Sequence, residues 1–374
     1  MAENPVTSDP AQMSRARSSG PDDEISRGIA VARVVCILFM ITVHVWPGVE
    51  RIIPAADTPF ERLFYGVVID HLGRAAVPLL SLFSGLLFVG SFLRAESTGA
   101  LLFGKVRSLI LPILLWSLPF LPLFAIKAEL TGLPSETPAT LWHFVSRLFA
   151  IVDYPLNNPL HFLREIFVMC VYGAAVLLLR RVSATAAVVA ALAIIAVEHG
   201  FQGALLLRPP IATAFFIGMA LAVAGRQEWA PSWPLVLGVL ALYVGLYALA
   251  GDRLVVDDET GLSVGYPTRI AMSLLVWRLC RDLARMPQAW ATRGLVALEP
   301  HIFVIFCSHK LTAFMVGGVA LFAGWHESDP FYILLFLSQI VLCVVVGVAL
   351  SRLLAPLPIF SGGRRREGVM AGRT

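Results

Sequence analysis

Arg33 and His44 lie on one apolar segment with ten residues between them, Arg33-VVCILFMITV-His44. A guanidinium holds phosphate or carboxylate oxygens in pairs, and an imidazole gains or loses a proton near neutral pH. An ionisable side chain at the centre of a membrane helix costs roughly 2.5–3.5 kcal/mol on insertion scales, so two on one segment need a reason. They also share a face. Eleven helical steps of about 100° come within about 20° of three full turns, with a rise of about 16 Å. One stripe then carries a fixed positive charge near one end and a proton-exchanging ring near the other. Blander readings exist: an arginine near a helix end snorkels to the headgroups, and an intramembrane histidine can be a hydrogen-bonded packing residue.

Further polar groups recur in other apolar segments. Asp70, His71 and Arg74 stand at the mouth of the second, Ser81, Ser84 and Gly85 lie within it, and Arg164 and Glu165 fall in a later one. Arg269, His309 and Lys310 follow toward the C-terminus. Intramembrane charges tend to face a bundle interior and pair there, so a polar central cavity is the economical reading. Arg164 and Glu165 point about 100° apart on a helix, which predicts a different partner for each. Gly73 and Gly85 are read as sites of close helix packing.

The elements that must position these groups are helices in a bilayer. Of 374 residues, 57% are hydrophobic and only 14% charged, and the apolar runs approach the length that crosses a membrane. The predicted fold is an all-α, polytopic transmembrane helical bundle of about ten spans, near 28–46, 75–93, 107–127, 160–179, 184–199, 210–225, 235–250, 265–280, 299–323 and 331–354. The run PATLWHFVSRLFAIV (138–152) is shorter and amphipathic and suits the membrane interface. Residues 1–25 read as a disordered cytoplasmic tail, 26–356 as the transmembrane domain and 357–374 as a basic cytoplasmic tail.

Orientation follows from the loop charges. With both termini cytoplasmic, the inner segments hold Arg15, Arg17, Arg94, Lys105, Arg107, Arg180, Arg181, Arg285 and Arg364 to Arg366 among others. The outer ones hold Arg51, Arg62, Lys127, Arg147, Arg208 and Arg253, an asymmetry of the sense that sets topology. The net charge of +4 is dispersed over loops, so no nucleic-acid partner is expected. Cys36, Cys170, Cys280, Cys307 and Cys343 are scattered and odd in number, which indicates neither a disulfide framework nor a metal site.

In five segments the chain resembles the acyltransferase-3 family of integral membrane acyltransferases. RVVCILFMITVH reproduces its Arg, ten residues, His hallmark, and GRAAVPLLSLFSGLLF (73–88) is similar to its glycine-arginine, Val-Pro and Ser-Gly pattern. KVRSLILP (105–112) resembles its basic segment before a proline, PLHFLREIF (159–167) its Trp-Phe-Leu segment ending in an acidic residue, and HIFVIFCSH (301–309) its late histidine motif. The chain departs from the pattern at His161, where Trp is usual, and at LSLFSG, where aromatic residues are more common. The resemblance is to stand-alone members that decorate exopolysaccharides.

The resemblance implies transfer of an acetyl or succinyl group from acyl-CoA to a hydroxyl of an exopolysaccharide or other cell-envelope glycan, within the plasma membrane. Acyl-CoA is then a cosubstrate, and no cofactor is bound permanently. The other partners are the bilayer, a glycan or lipid-linked saccharide acceptor and a polysaccharide assembly complex. A sugar hydroxyl is a poor nucleophile, and a positioned base typically contributes about 10²–10⁴-fold. His44 is the natural candidate, alone or in a relay with Glu165 or His309. Arg33, Lys105 and Arg107 lie on the inner side, where CoA carries its phosphates; for Lys105 and Arg107 the alternative is ordinary positive-inside charge. Arg74 and Arg164 either bind an anionic acyl group or acceptor, or neutralise Asp70 and Glu165. Ser84 joins the candidate substrate-binding residues. The competing function is a secondary transporter or flippase for a glycan or organic anion, using the same intramembrane charges as its path.

Overall fold

The computed structural model describes residues 21–45, 71–132, 137–151, 154–201, 205–250, 265–323 and 332–361. Among the described residues the regular structure is helical throughout. The order is α1 (Pro21–His44), α2 (Ala76–Arg94), α3 (Thr98–Lys105), α4 (Leu111–Ser117), α5 (Phe120–Thr131), α6 (Leu141–Phe149), α7 (His161–Arg180) and α8 (Ala184–Gly200). Then come α9 (Pro210–Val223), α10 (Trp233–Ala250), α11 (Gly265–Ala284), α12 (Trp290–Leu298), α13 (Ile302–Phe322) and α14 (Tyr332–Leu353). Short 3₁₀ turns at Leu72–Ala75, Asn158–Leu160 and Glu299–His301 lead into α2, α7 and α13.

Six stretches are long and apolar enough to cross a membrane by length and composition: Glu24–His44, Leu72–Arg94, Thr98–Leu130, Asn158–Arg180, Trp290–Val319 and Leu335–Leu353. Three of the other expected spans, Ala184–Gly200, Pro210–Val223 and Trp233–Leu246, are apolar but shorter. The tenth, α11, has its apolar run interrupted by Arg269, Arg278, Arg281 and Asp282. These charges have partners: Arg278 lies 2.9 Å from Asp282, and Arg281 and Arg285 reach Glu24 of α1 at 3.0 and 3.1 Å.

Helix α1 takes in the end of the stretch read as a disordered tail, and Glu24 shows why: it is anchored to α11. At the other end, Phe360, inside the expected C-terminal tail, accepts a hydrogen bond on its carbonyl from Trp116 Nε1 at 3.3 Å and packs edge-on against that ring. Residues 1–20 and 362–374 of these expected tails lie outside the described residues.

The third expected span is composite. Between α3 and α4 the chain widens into a π-type turn, Val106–Ile110, just before Pro112, and a further turn at Leu118 and Pro119 precedes α5. Proline lacks the N–H a helix interior needs, and the turn-by-turn adjustments sit where these rings fall. Helix α6 caps its N-terminus with Thr140 Oγ1, which accepts from the His143 N–H at 3.1 Å. It buries Leu148 beside Phe120, Phe124 and Leu156 and leaves Leu141 and Trp142 exposed, the two-sidedness its sequence predicts.

Helix α1 is central, packing against α2, α11, α12 and α13. The tightest crossing joins α2 to α9. A Cβ at Gly85 would stand 2.0 Å from the Phe215 carbonyl oxygen, and one at Gly218 would stand 2.0 Å from that of Leu82. Each glycine thus admits the other helix's backbone, as small residues do where lipid provides no hydrophobic drive for association. Phe88 and Phe215 are fully buried beside this crossing, with ring centroids 5.8 Å apart.

Candidate active site

Helix α1 and the α12–α13 pair run in the same direction and meet at two rungs. At the first, Arg33 Nη1 donates to Glu299 Oε1 at 2.7 Å. Glu299 opens the 3₁₀ turn between α12 and α13, and the ion pair fixes that turn against α1. At the second, the His44 and His309 rings lie 5.6 Å apart, centre to centre, with their planes inclined by 38°. His44 is the last residue of α1 and half-buried, whereas His309 is completely buried.

The surroundings of His309 fix its tautomer. Its Nδ1 lies 2.5 Å from the Phe306 carbonyl oxygen. A carbonyl only accepts, so Nδ1 carries the hydrogen and, in the neutral ring, Nε2 carries the lone pair. Among the described residues Nε2 has no hydrogen-bond partner. The ring stacks on Phe306, with centroids 5.8 Å apart. Two residues before His309, the Cys307 carbonyl accepts from Asn157 Nδ2 at 2.9 Å, and the same amide donates to the Trp116 carbonyl at 3.2 Å. Buried Asn157 thereby ties α4 and the entrance to α7 to the histidine-bearing turn of α13.

The first turn of α7 adds a buried acid and imidazole. His161 Nδ1 donates to the Asn158 carbonyl at 2.7 Å, and its Nε2 stands 3.8 Å from Glu165 Oε2, one helical turn on. With Nδ1 occupied as a donor, Nε2 of a neutral ring and an ionised carboxylate are both acceptors, so the two atoms bond only by sharing a proton. Glu165 Oε1 accepts the backbone N–H of Arg208 at 2.8 Å.

Arg164 and Glu165 do have different partners. Arg164 donates to the carbonyls of Leu205 and, at 3.1 Å, Ile151. Glu198 accepts from Tyr172 at 3.0 Å and from the Leu206 N–H at 2.9 Å. Arg164, Glu165 and Glu198 therefore hold residues 205–208, just ahead of α9.

The structure brings His309, Lys310, Arg208 and His161 close enough to His44 for their charges to act on it. Other candidates lie apart. Ser84 turns its hydroxyl onto the Leu80 carbonyl of its own helix at 2.7 Å. Arg74 is exposed in the turn opening α2, Lys105 ends α3 half-buried, and Arg107 is exposed in the π-type turn. Asp70 lies outside the described residues. Three residues were missed by sequence reasoning. Glu299, an acidic residue at the start of an expected span, was the one with a visible signal; Asn157 and Arg208 sit in loops, where polar residues attract no notice.

Among the described residues no three His, Cys, Asp or Glu side chains are grouped to hold a metal ion. All five cysteines are buried and free. What the arrangement offers is proton exchange at two histidines with fixed charges nearby.

Comparison with known proteins identifies the family. The model of an acyltransferase domain, that of the acyltransferase-3 family, matches residues 26–355. The Succinoglycan biosynthesis protein ExoH of Rhizobium meliloti (strain 1021) is 27% identical over 375 residues, covering 94% of this chain and 95% of the relative. No solved structure matches the chain. With a match running from the first turns of α1 to the end of α14 and taking in both rungs, the chain belongs to the acyltransferase-3 family.

Proposed function

We propose that the protein is a membrane-embedded O-acyltransferase that moves an acetyl or succinyl group from acyl-CoA to a hydroxyl of an exopolysaccharide or another cell-envelope glycan. The observation that carries this reading is the His44–His309 contact, placed on parallel helices held in register by Arg33 and Glu299. The name of the relative, a succinoglycan biosynthesis protein, supports a polysaccharide acceptor.

In the proposed reaction His44, the more accessible histidine, takes the proton of the acceptor hydroxyl as its oxygen attacks the thioester carbonyl carbon. The carbon–sulfur bond then breaks, and the CoA sulfur leaves with the proton that the imidazolium returns. His309, its tautomer set by Phe306, positions the His44 ring packed beside it. Glu165 keeps the α8–α9 loop against this centre. Lys105 and Arg107 bind the CoA phosphates near the cytoplasmic face, and the pantetheine arm reaches through the bundle toward His44. Ten spans and cytoplasmic termini in the plasma membrane complete the proposal.

The test is mass spectrometry of surface and secreted glycans from cells lacking the protein, complemented with wild type or with His44→Ala. An ester mass increment restored by wild type and not by the well-expressed variant supports the proposal. Restoration by both removes His44 from the reaction, and no change in acylation with either removes acyl transfer to these glycans.

A further inference from the structure

The loop from Leu205 to Pro209 is held more firmly than a connection between two helices requires. Buried Glu198 accepts from the N–H groups of Leu205 and Leu206, Arg164 donates to the Leu205 carbonyl, and buried Glu165 accepts from the Arg208 N–H. Three charged side chains are thus engaged with the backbone of one short segment. Placing ionised groups in an apolar bundle is costly, and here their hydrogen bonds fix a main chain rather than each other.

That segment presents one charged side chain, Arg208. Its backbone is fixed by Glu165, but among the described residues its guanidinium makes no hydrogen bond or ion pair. Its charge is near enough to act on His44, on His161 and on Glu165. A half-buried guanidinium on a fixed backbone, within charge range of His44 and His161, is a fork for two oxygens of an anion. Lys310 adds a second positive charge within reach of His44.

We infer that Arg208 is a specificity-determining residue that binds a carboxylate at the far end of the transferred acyl group, so that the donor is the CoA thioester of a short dicarboxylic acid. This rests on the proposed acyl transfer and deepens it. The same fork would also suit a carboxylate on the acceptor glycan. The acyl group is favoured because its carbonyl must sit at His44, and two methylenes separate that carbonyl from a terminal carboxylate in a succinyl group. A role confined to offsetting the charge of Glu165 predicts instead an equal loss with every donor.

The experiment compares succinyl-CoA with acetyl-CoA, using the full-length protein in nanodiscs and undecorated exopolysaccharide from cells lacking it. The readouts are CoA release and ester mass. Wild type is expected to prefer succinyl-CoA in kcat/KM. Arg208→Gln should reduce that preference about 10- to 100-fold, through KM for succinyl-CoA, as expected when charge-assisted hydrogen bonds are lost. Arg208→Lys, which keeps the charge but not the fork, should fall between. An equal loss with both donors, or a wild type without preference, overturns the inference. The same assay on acceptor whose carboxyl groups have been reduced to alcohols separates the two sources. If the effect of Arg208→Gln disappears there, the carboxylate belongs to the acceptor and the inference is wrong. Absence of CoA release with either donor in wild type is the distinct outcome in which the proposed acyl transfer fails, and the inference with it.

Discussion

Arg33 and Glu299 form a 2.7 Å ion pair on the same two helical segments that bring His44 and His309 together, about 16 Å farther along. The two rungs share one frame, so the charged pair sets the relative height of the two imidazoles. Removing one partner takes a short charge-assisted hydrogen bond from a half-buried charge, whereas removing both takes away the pair as a unit.

Accordingly, Arg33→Leu or Glu299→Leu alone should lower stability by about 2–3 kcal/mol, and the double variant should recover part of that loss. Thermal unfolding in detergent, followed by loss of the monodisperse peak, checks this. Equal stability of single and double variants would show that the pair is not coupled.

His44→Ala should reduce acceptor-dependent CoA release about 10²–10⁴-fold, the usual contribution of a general base. His309→Ala should also reduce it, with smaller loss for His309→Asn, whose side-chain amide can donate to the Phe306 carbonyl as Nδ1–H does. A His309→Asn variant as inactive as His309→Ala would mean that ring orientation is not what His309 supplies.

At Glu165 the two obvious substitutions should separate structure from charge. Glu165→Gln keeps an oxygen for the Arg208 N–H, while Glu165→Ala leaves that donor without its acceptor and should cost about 1–3 kcal/mol. Melting temperatures of the two variants give the comparison. If the alanine variant is as stable as the glutamine one, the loop is held without Glu165.

Gly218→Ala places a methyl group where the Leu82 carbonyl stands, and should cost about 1–3 kcal/mol through forced separation of α2 and α9. Gly238→Ala is the control, since a Cβ there meets nothing within 4 Å. Detergent stability of the pair is the measurement, and equal values would show that the crossing relaxes without strain.

Much of this was legible in the sequence because apolar periodicity and isolated charges stand out against one another. Arg33, His44, Glu165 and His309 were visible for that reason, and three of them converge on the α7–α13 region. Arg33 pairs with a residue 266 positions away, a contact that helical periodicity does not encode. Arg164 and Glu165 were correctly given different partners, but those partners are main-chain groups of a loop, which have no signature in residue type. Arg208 was counted only as a loop charge favouring one side of the membrane. The expected span count exceeds the six long apolar stretches because α8 and α9 are short, the described apolar stretch of α10 ends at Leu246, and α11 carries charges paired within it and with Glu24.

The separation of 266 residues between Arg33 and Glu299 also bears on how the protein is made. The chain emerges from its N-terminus, so Arg33 enters the bilayer long before Glu299 has been synthesised. The Arg33–Glu299 pair and the His44–His309 contact therefore form only once α12 and α13 have been made. A nascent chain stalled before α12 would hold most of the bundle and neither rung, so the register of α1 is completed by the last part of the chain to arrive.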